Sequence, residues 1–189
     1  MERWKIKESE LVLDSKWMRV RRDTCVLPSG QTVDDYYVWE GNHFVMVFGL
    51  TSDQQVVLVK QYKHGAQDFV VELPAGVIDE SDDDSLAAAV RELREETGYE
   101  AETFNCLAKV FIASAKATTM AHIYLATGLE LTASPQLDSQ ETIESFRVSL
   151  PELVEMIDAG EIRDVNSIAA AFLALRELGY LEVKSCTGQ

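Results

Sequence analysis

The sequence predicts an α/β (α+β) sandwich, a mixed sheet covered by helices on both sides, with a small antiparallel β subdomain at its N-terminus. Three observations carry this expectation. Periodic segments follow the order strands, helix, strands, helices. The runs between His43 and Gly76 are apolar almost throughout, as strands buried on both faces are. Ahead of them, β-branched and aromatic residues alternate with turn signals, the pattern of short strands joined by hairpins.

Residues 10–14 (ELVLD) and 17–28 (WMRVRRDTCVLP) read as two short strands, Ser29-Gly30 as a turn, and 32–40 (TVDDYYVWE) as a third strand. The core sheet begins near His43 with 43–51, continues through 55–63 after the polar turn Ser52-Asp53-Gln54, and takes in 69–76. A helix follows at 86–97: Asp84 or Ser85 caps it, good helix formers fill it and Gly98 stops it. Strands are expected at 106–113, 121–128 and 143–149. The chain closes with a helix at 151–160, Pro151 in its first turn, and another at 166–178 capped by Asn166 or Ser167. The resulting division is residues 1–42 as the β subdomain, 43–183 as the main domain and 184–189 as a tail.

Composition bounds the partners. A chain of 189 residues with 47% hydrophobic content buries a core of its own. A formal charge of −15 argues against nucleic acid, because phosphate backbones are held by clustered Lys and Arg. A polyanionic partner would need a metal bridge. Cys25, Cys106 and Cys186 lie far apart without C-x-x-C spacing, which fits reduced thiols in the cytoplasm. No run approaches the roughly 20 apolar residues of a membrane span, and the charged start MERWKIKESE is unlike a signal peptide.

The stretch from Pro74 to Glu100 concentrates nine carboxylates against two arginines and no lysine. On a helix turning about 100° per residue, Leu86, Ala89, Val90, Leu93 and Thr97 form the expected core stripe. Glu92, Glu95 and Glu96 fall beside it, related as i, i+3 and i+4. Like charges at that spacing repel by about 0.2–0.5 kcal/mol per pair unless a cation binds between them. Neither Arg91 nor Arg94 is placed to neutralise all three. Hard oxygen donors in such a cluster suit Mg²⁺ or Mn²⁺ shared with substrate phosphates.

The run from Gly76 through RELREETGY resembles the box of the Nudix hydrolase superfamily: Gly, five residues, Glu, seven residues, then Arg-Glu-hydrophobic-x-Glu-Glu-x-Gly-hydrophobic. Its second half matches through Arg91, Glu92, Leu93, Glu95, Glu96, Gly98 and Tyr99. The first half departs, with fourteen residues between Gly76 and Arg91 where the pattern has thirteen, and Asp in place of the first Glu. Counting back from Arg91 puts Asp83 at that position, with Asp82 the alternative. Outside the box, VLPSG, YYVWE, VVLVKQYKHG and VELPAG resemble the ADP-ribose pyrophosphatase and nucleoside-diphosphate-sugar hydrolase branch, while IASAKATTMAH stands where ADP-ribose enzymes carry a Ser-Pro-Gly-like stretch.

The resemblance implies a Nudix-type α/β/α sandwich that hydrolyses the pyrophosphate of ADP-ribose or a nucleoside diphosphate sugar with Mg²⁺ or Mn²⁺. It also implies a homodimer whose front strands contribute to the substrate pocket. Glu92, Glu95 and Glu96 are the expected metal ligands, joined by the carbonyl of Ala75; Arg91 braces the glutamates. A general base, or further ligand, is expected in the acidic loop QLDSQETIES: Glu141 first, then Asp138, then Glu144. Lys63 is the expected phosphate contact, with His64 and His122 weighed as lesser candidates. Tyr37 and Trp39, with Tyr36 beside them, could stack on a base, and Arg22 or Arg21 could balance substrate charge. The competing class is a Nudix-fold nucleotide-binding or regulatory module without turnover. Retention of all three glutamates favours the enzyme, while net charge and the long front section disfavour an RNA-decapping or mutagenic-nucleotide hydrolase.

Overall fold

Alternation at the N-terminus builds an antiparallel sheet in the order β1 (Lys5–Asp14), β2 (Arg19–Val26), β3 (Thr32–Glu40). The structure, a computed structural model, describes residues 1–16, 18–137 and 142–181. Register places Ser9, Asp23 and Tyr36 across from one another, and likewise Leu11, Arg21 and Val38. Asp23 is buried there, accepting from the Ser9 hydroxyl at 2.6 Å and Arg21 Nε at 3.0 Å, and Arg21 continues to Glu40 at 2.6 Å. Buried with this polar network in the small sheet are Cys25 and Val38. β1 starts five residues earlier than the apolar pattern indicated. Its first half alternates charged residues and stays exposed, so it carries no burial signal.

The outer edge of β3 is paired by a distant segment: Trp39 N–H donates to the Lys116 carbonyl at 2.7 Å, and Thr118 N–H to the Trp39 carbonyl at 3.0 Å. Met1–His43 with Val110–Ala121 forms one compact unit, and Phe44–Lys109 with the chain from His122 onward forms the second.

In chain order the remaining elements are β4 (Phe44–Thr51), β5 (Gln55–Lys63), β6 (Asp68–Glu72), β7 (Ala75–Val77), α1 (Ser85–Thr97), β8 (Tyr99–Glu100), β9 (Thr103–Phe111), β10 (Met120–Leu131), β11 (Ile143–Ser149), α2 (Leu150–Asp158) and α3 (Val165–Glu177). They make an eight-stranded mixed sheet on the path β11-β5-β4-β10-β8, with β6 on β5, β7 on β4 and β9 on β10. Val45 and Val47 of β4 enter a cluster with Ala88, Ala89 and Leu93 of α1. Their alternates Met46, Phe48 and Leu50 are equally buried on the opposite face, and α3 packs against β4. Each such large apolar side chain contributes about 1.5–3 kcal/mol when fully buried. The expected sandwich is therefore observed.

Several details are corrected. The run 69–76 is two strands, because Pro74 cannot donate to a ladder and the chain steps there from β5 to β4. The buried face of α1 is Ala88, Ala89, Leu93, Glu96 and Thr97, whereas Leu86 and Val90 are exposed. Two adjacent alanines let the helix sit close to the sheet, which rotates the contact face toward Glu96. The α3 cap is Asp164, which accepts from Ser167 N–H at 2.7 Å, ahead of the expected Asn166 or Ser167. Asp84 caps α1, and Gly98 ends it at φ 75° with its N–H on the Arg94 carbonyl.

Candidate active site

The site is built where β6 gives way to β7. Three backbone groups of this crossover find partners on other elements: Leu73 N–H donates to Ser167 Oγ at 3.1 Å, Val47 N–H to the Pro74 carbonyl at 2.9 Å, and Ala75 N–H to Glu96 Oε2 at 3.0 Å. Ala75 and Gly76 are thereby fixed against α1. A Cβ on Gly76 would lie 2.0 Å from Glu92 Cδ, so only glycine lets the strand and the glutamate share this space.

Arg91 gathers the acidic groups. Its Nη1 lies 2.7 Å from Glu92 and 3.0 Å from Glu95, its Nε and Nη2 lie 3.0 and 2.9 Å from the two oxygens of Asp82, and Nη2 also donates to the Val77 carbonyl at 3.0 Å. The guanidinium holds the Asp82 carboxyl below the usual carboxylate range. Asp82 therefore occupies the place beside Arg91 that counting back along the helix gave to Asp83, which is exposed. The extra residue of the box sits between Asp82 and the α1 cap, and counting from the helix end cannot see it.

Glu96 differs from the other two. Its side chain is buried, and burial pushes its carboxyl up to about 8. The Ala75 N–H opposes the shift, the charges of Glu92 and Glu72 add to it, and Lys63 eases it. Glu72, also buried, accepts from Gln61 Nε2 at 2.7 Å and pairs with Lys63 Nζ at 2.8 Å. Sequence reasoning passed over Glu72. Its signal was a carboxylate ending the apolar run Phe69-Val70-Val71, two residues ahead of Pro74.

The donor set fits a hard divalent cation. Three carboxylates share one helix face, and Glu96 is a buried acid receiving one backbone N–H. As the side chains stand, Arg91 takes Glu92 and Glu95, and among the described residues no three His, Cys, Asp or Glu side chains close around one point.

Ala75, Arg91, Glu92, Glu95 and Glu96 are thus brought together, with Lys63 linked through Glu72. Arg22, Tyr37 and Trp39 belong to the N-terminal unit and form their own group. Arg22 lies across from Tyr37 and pairs with Glu10 at 2.5 Å, while Tyr37 and Trp39 are exposed on the same face. Tyr36 turns the other way, under the Lys116 ammonium at 4.5 Å and edge-on to Trp4. His64 lies in an exposed aromatic group with Tyr62. Glu144 is exposed on β11 opposite Lys60, an ordinary cross-strand charge pair. Asp138 and Glu141 lie outside the described residues, as do Cys186 and the tail.

Comparison with known proteins agrees with this geometry. Residues 43–171 match the NUDIX domain and residues 4–39 the nucleoside diphosphate sugar hydrolase N-terminal domain. The chain is 30% identical over 172 residues to a methanol dehydrogenase activator of Bacillus methanolicus, covering 90% of this chain and 92% of that one. It is 29% identical over 135 residues to an ADP-ribose pyrophosphatase of Bacillus subtilis (strain 168), covering 70% and 72%. Its fold matches a crystal structure of an ADP compounds hydrolase with a TM-score of 0.84 at 22% identity, over 96% of this chain and 98% of that one. The chain belongs to the Nudix family and is, as a class, a Nudix pyrophosphohydrolase. No helix among the described residues is long and apolar enough to cross a membrane.

Proposed function

We propose that this protein hydrolyses the pyrophosphate bond of ADP-ribose or a nucleoside diphosphate sugar, releasing a nucleoside monophosphate and a sugar phosphate. The observation that carries the reading is the glutamate patch of α1, drawn against Ala75 and Gly76 and braced by Arg91. The match of residues 4–39 to a sugar-hydrolase N-terminal domain supports the substrate class. Glu92, Glu95, Glu96 and the Ala75 carbonyl would hold Mg²⁺ or Mn²⁺. Such a cation, when bound, neutralises charge on the two phosphates and acidifies the attacking water. Lys63 balances charge on one phosphate, and across the proposed homodimer Arg22 would balance substrate charge and the exposed rings of Tyr37 and Trp39 would stack on a base.

Hydrolysis adds water across the phosphoanhydride, and a proton must be accepted during attack. Glu141, or Asp138 in its place, is assigned this role. Support comes from the chain on either side: Gln136 N–H donates to the Glu95 carbonyl at 2.8 Å, and Ile143 pairs with Gln61, whose side chain holds Glu72. Both anchors flank the glutamate patch. The reading includes a cytoplasmic homodimer with residues 1–42 in its interface.

The test is a substrate panel with product identification, run with Mg²⁺, with Mn²⁺ and with excess chelator. Metal-dependent release of a nucleoside monophosphate is expected; equal turnover in chelator sinks the reading. The likeness to a methanol dehydrogenase activator favours a second one, a nucleotide-binding regulator of another enzyme. Stimulation of a methanol dehydrogenase by a chain that turns over no member of the panel would select it.

A further inference from the structure

Beside the glutamate patch lies a cavity of about 410 Å³ lined by Lys63, Asp68, Glu72, Arg163 and Asp164 together with the apolar Ala66 and Val70. Its size is that of a small-molecule site, roughly 300–1,000 Å³. Its inner end is Glu72 with Lys63, the pair that adjoins Glu96. Its outer end is Arg163, whose Nη2 reaches Asp68 at 2.6 Å while Asp68 Oδ1 also accepts from Phe69 N–H at 2.8 Å. Arg163 comes from the turn between α2 and α3, and Asp68 from the first residue of β6, so one ion pair ties two distant segments across the mouth.

The wall bearing Arg163 is rigid. Asp164 caps α3 and accepts from the Ser167 hydroxyl at 2.9 Å, and that hydroxyl in turn accepts from Leu73 N–H. The turn holding Arg163 is therefore locked to the same crossover that places Ala75, and its position relative to the glutamates is set.

The chemistry of the cavity is mixed. One cation lies nearest the glutamate patch, and a guanidinium paired with a carboxylate lies farther out. A bare phosphate would be repelled by Asp68 and Glu72, and an apolar group would strand all of these charges. A polyhydroxyl group linked to a phosphate matches them in order, because hydroxyls donate to carboxylates and accept from a guanidinium fork. Resting on the hydrolase reading above, we propose that this cavity receives the sugar half of the substrate and that Arg163, with Asp68, is a specificity residue contacting sugar hydroxyls.

Both side chains are more than half exposed, so replacing them leaves the core intact. The experiment measures kcat/KM of wild type, Arg163→Ala and Arg163→Lys for ADP-ribose and for an ADP ester whose distal phosphate carries only a methyl group. Arg163→Ala is expected to lower the preference for ADP-ribose over the methyl ester about tenfold, mainly through KM. Arg163→Lys, which keeps charge but loses the fork, is expected to restore only part of it. An unchanged preference in Arg163→Ala, or equal losses on both substrates, overturns the sugar assignment while leaving the hydrolase reading intact. Failure of wild type on both substrates overturns this inference, and the hydrolase reading falls with it if every nucleoside diphosphate sugar of the panel also fails.

Discussion

At the residue scale, Glu96 separates stability from activity. A buried carboxylate with one backbone donor is costly to keep ionised, and two neighbouring carboxylates add to that cost. A glutamine of the same shape still accepts the Ala75 N–H and buries no charge. Glu96→Gln should therefore hold or raise the Tm of the metal-free protein while turnover falls about a hundredfold or more. Calorimetry beside a metal-saturated assay reads both, and a fall in Tm with turnover preserved would return Glu96 to a structural role. The proton acceptor is decided by Glu141→Gln and Asp138→Asn at saturating metal. Collapse is expected in the first; near-wild-type turnover there, with collapse in the second, moves the role to Asp138.

At the element scale, α1 is held to its preceding loop by Asp82, and this settles the box's odd spacing. Asp82→Ala removes the two contacts to Arg91 and an accepted bond from Asp79 N–H, with an expected cost of about 1–2 kcal/mol after screening. Asp83→Ala, at an exposed position, should cost nothing measurable. The Asp82 carboxyl is held below its unfolded value, so its contribution is full above about pH 4 and fades as pH falls further. Denaturant melts of both variants from pH 7 to pH 3 check this; an equal gap at every pH means that the charge is not what matters. The same element shows what a sequence can carry. The glutamates, Arg91, the Asp84 cap and the Gly98 stop were legible because helix periodicity and capping are local. The rotation toward Glu96, the split at Pro74 and the partners of Glu72 were not, since each depends on how strands pair and pack, and the choice of Asp82 over Asp83 rests on the loop's contact with Arg91. Ser167 makes the point most sharply: a serine expected as a cap is a buried acceptor for Leu73, 94 positions away.

At the scale of the whole molecule, β1 is the unfinished part. Its ten residues are exposed throughout, it lies at the edge of a three-stranded sheet, and Ile6, Leu11, Val12 and Leu13 all face solvent. A long edge strand carrying apolar side chains is a template for pairing with another chain, and small sheets gain independent stability by covering such a face. A second copy is the partner always present at equal concentration, which is the physical argument for the homodimer. Net charge sets how association should respond to salt. Two chains of −15 each repel, and the range of that repulsion shortens from about 30 Å at 0.01 M salt to about 8 Å at 0.15 M. Dimerisation driven by apolar burial should therefore tighten as salt rises, the opposite of an interface built on ion pairs. Sedimentation at micromolar concentration should give a dimer at 0.15 M salt and partial dissociation at low salt. Leu11→Lys with Leu13→Lys should yield monomer under both conditions with the main sheet intact by circular dichroism. A wild-type chain that sediments only as monomer removes the homodimer, and a dimer untouched by the double substitution moves the interface away from β1.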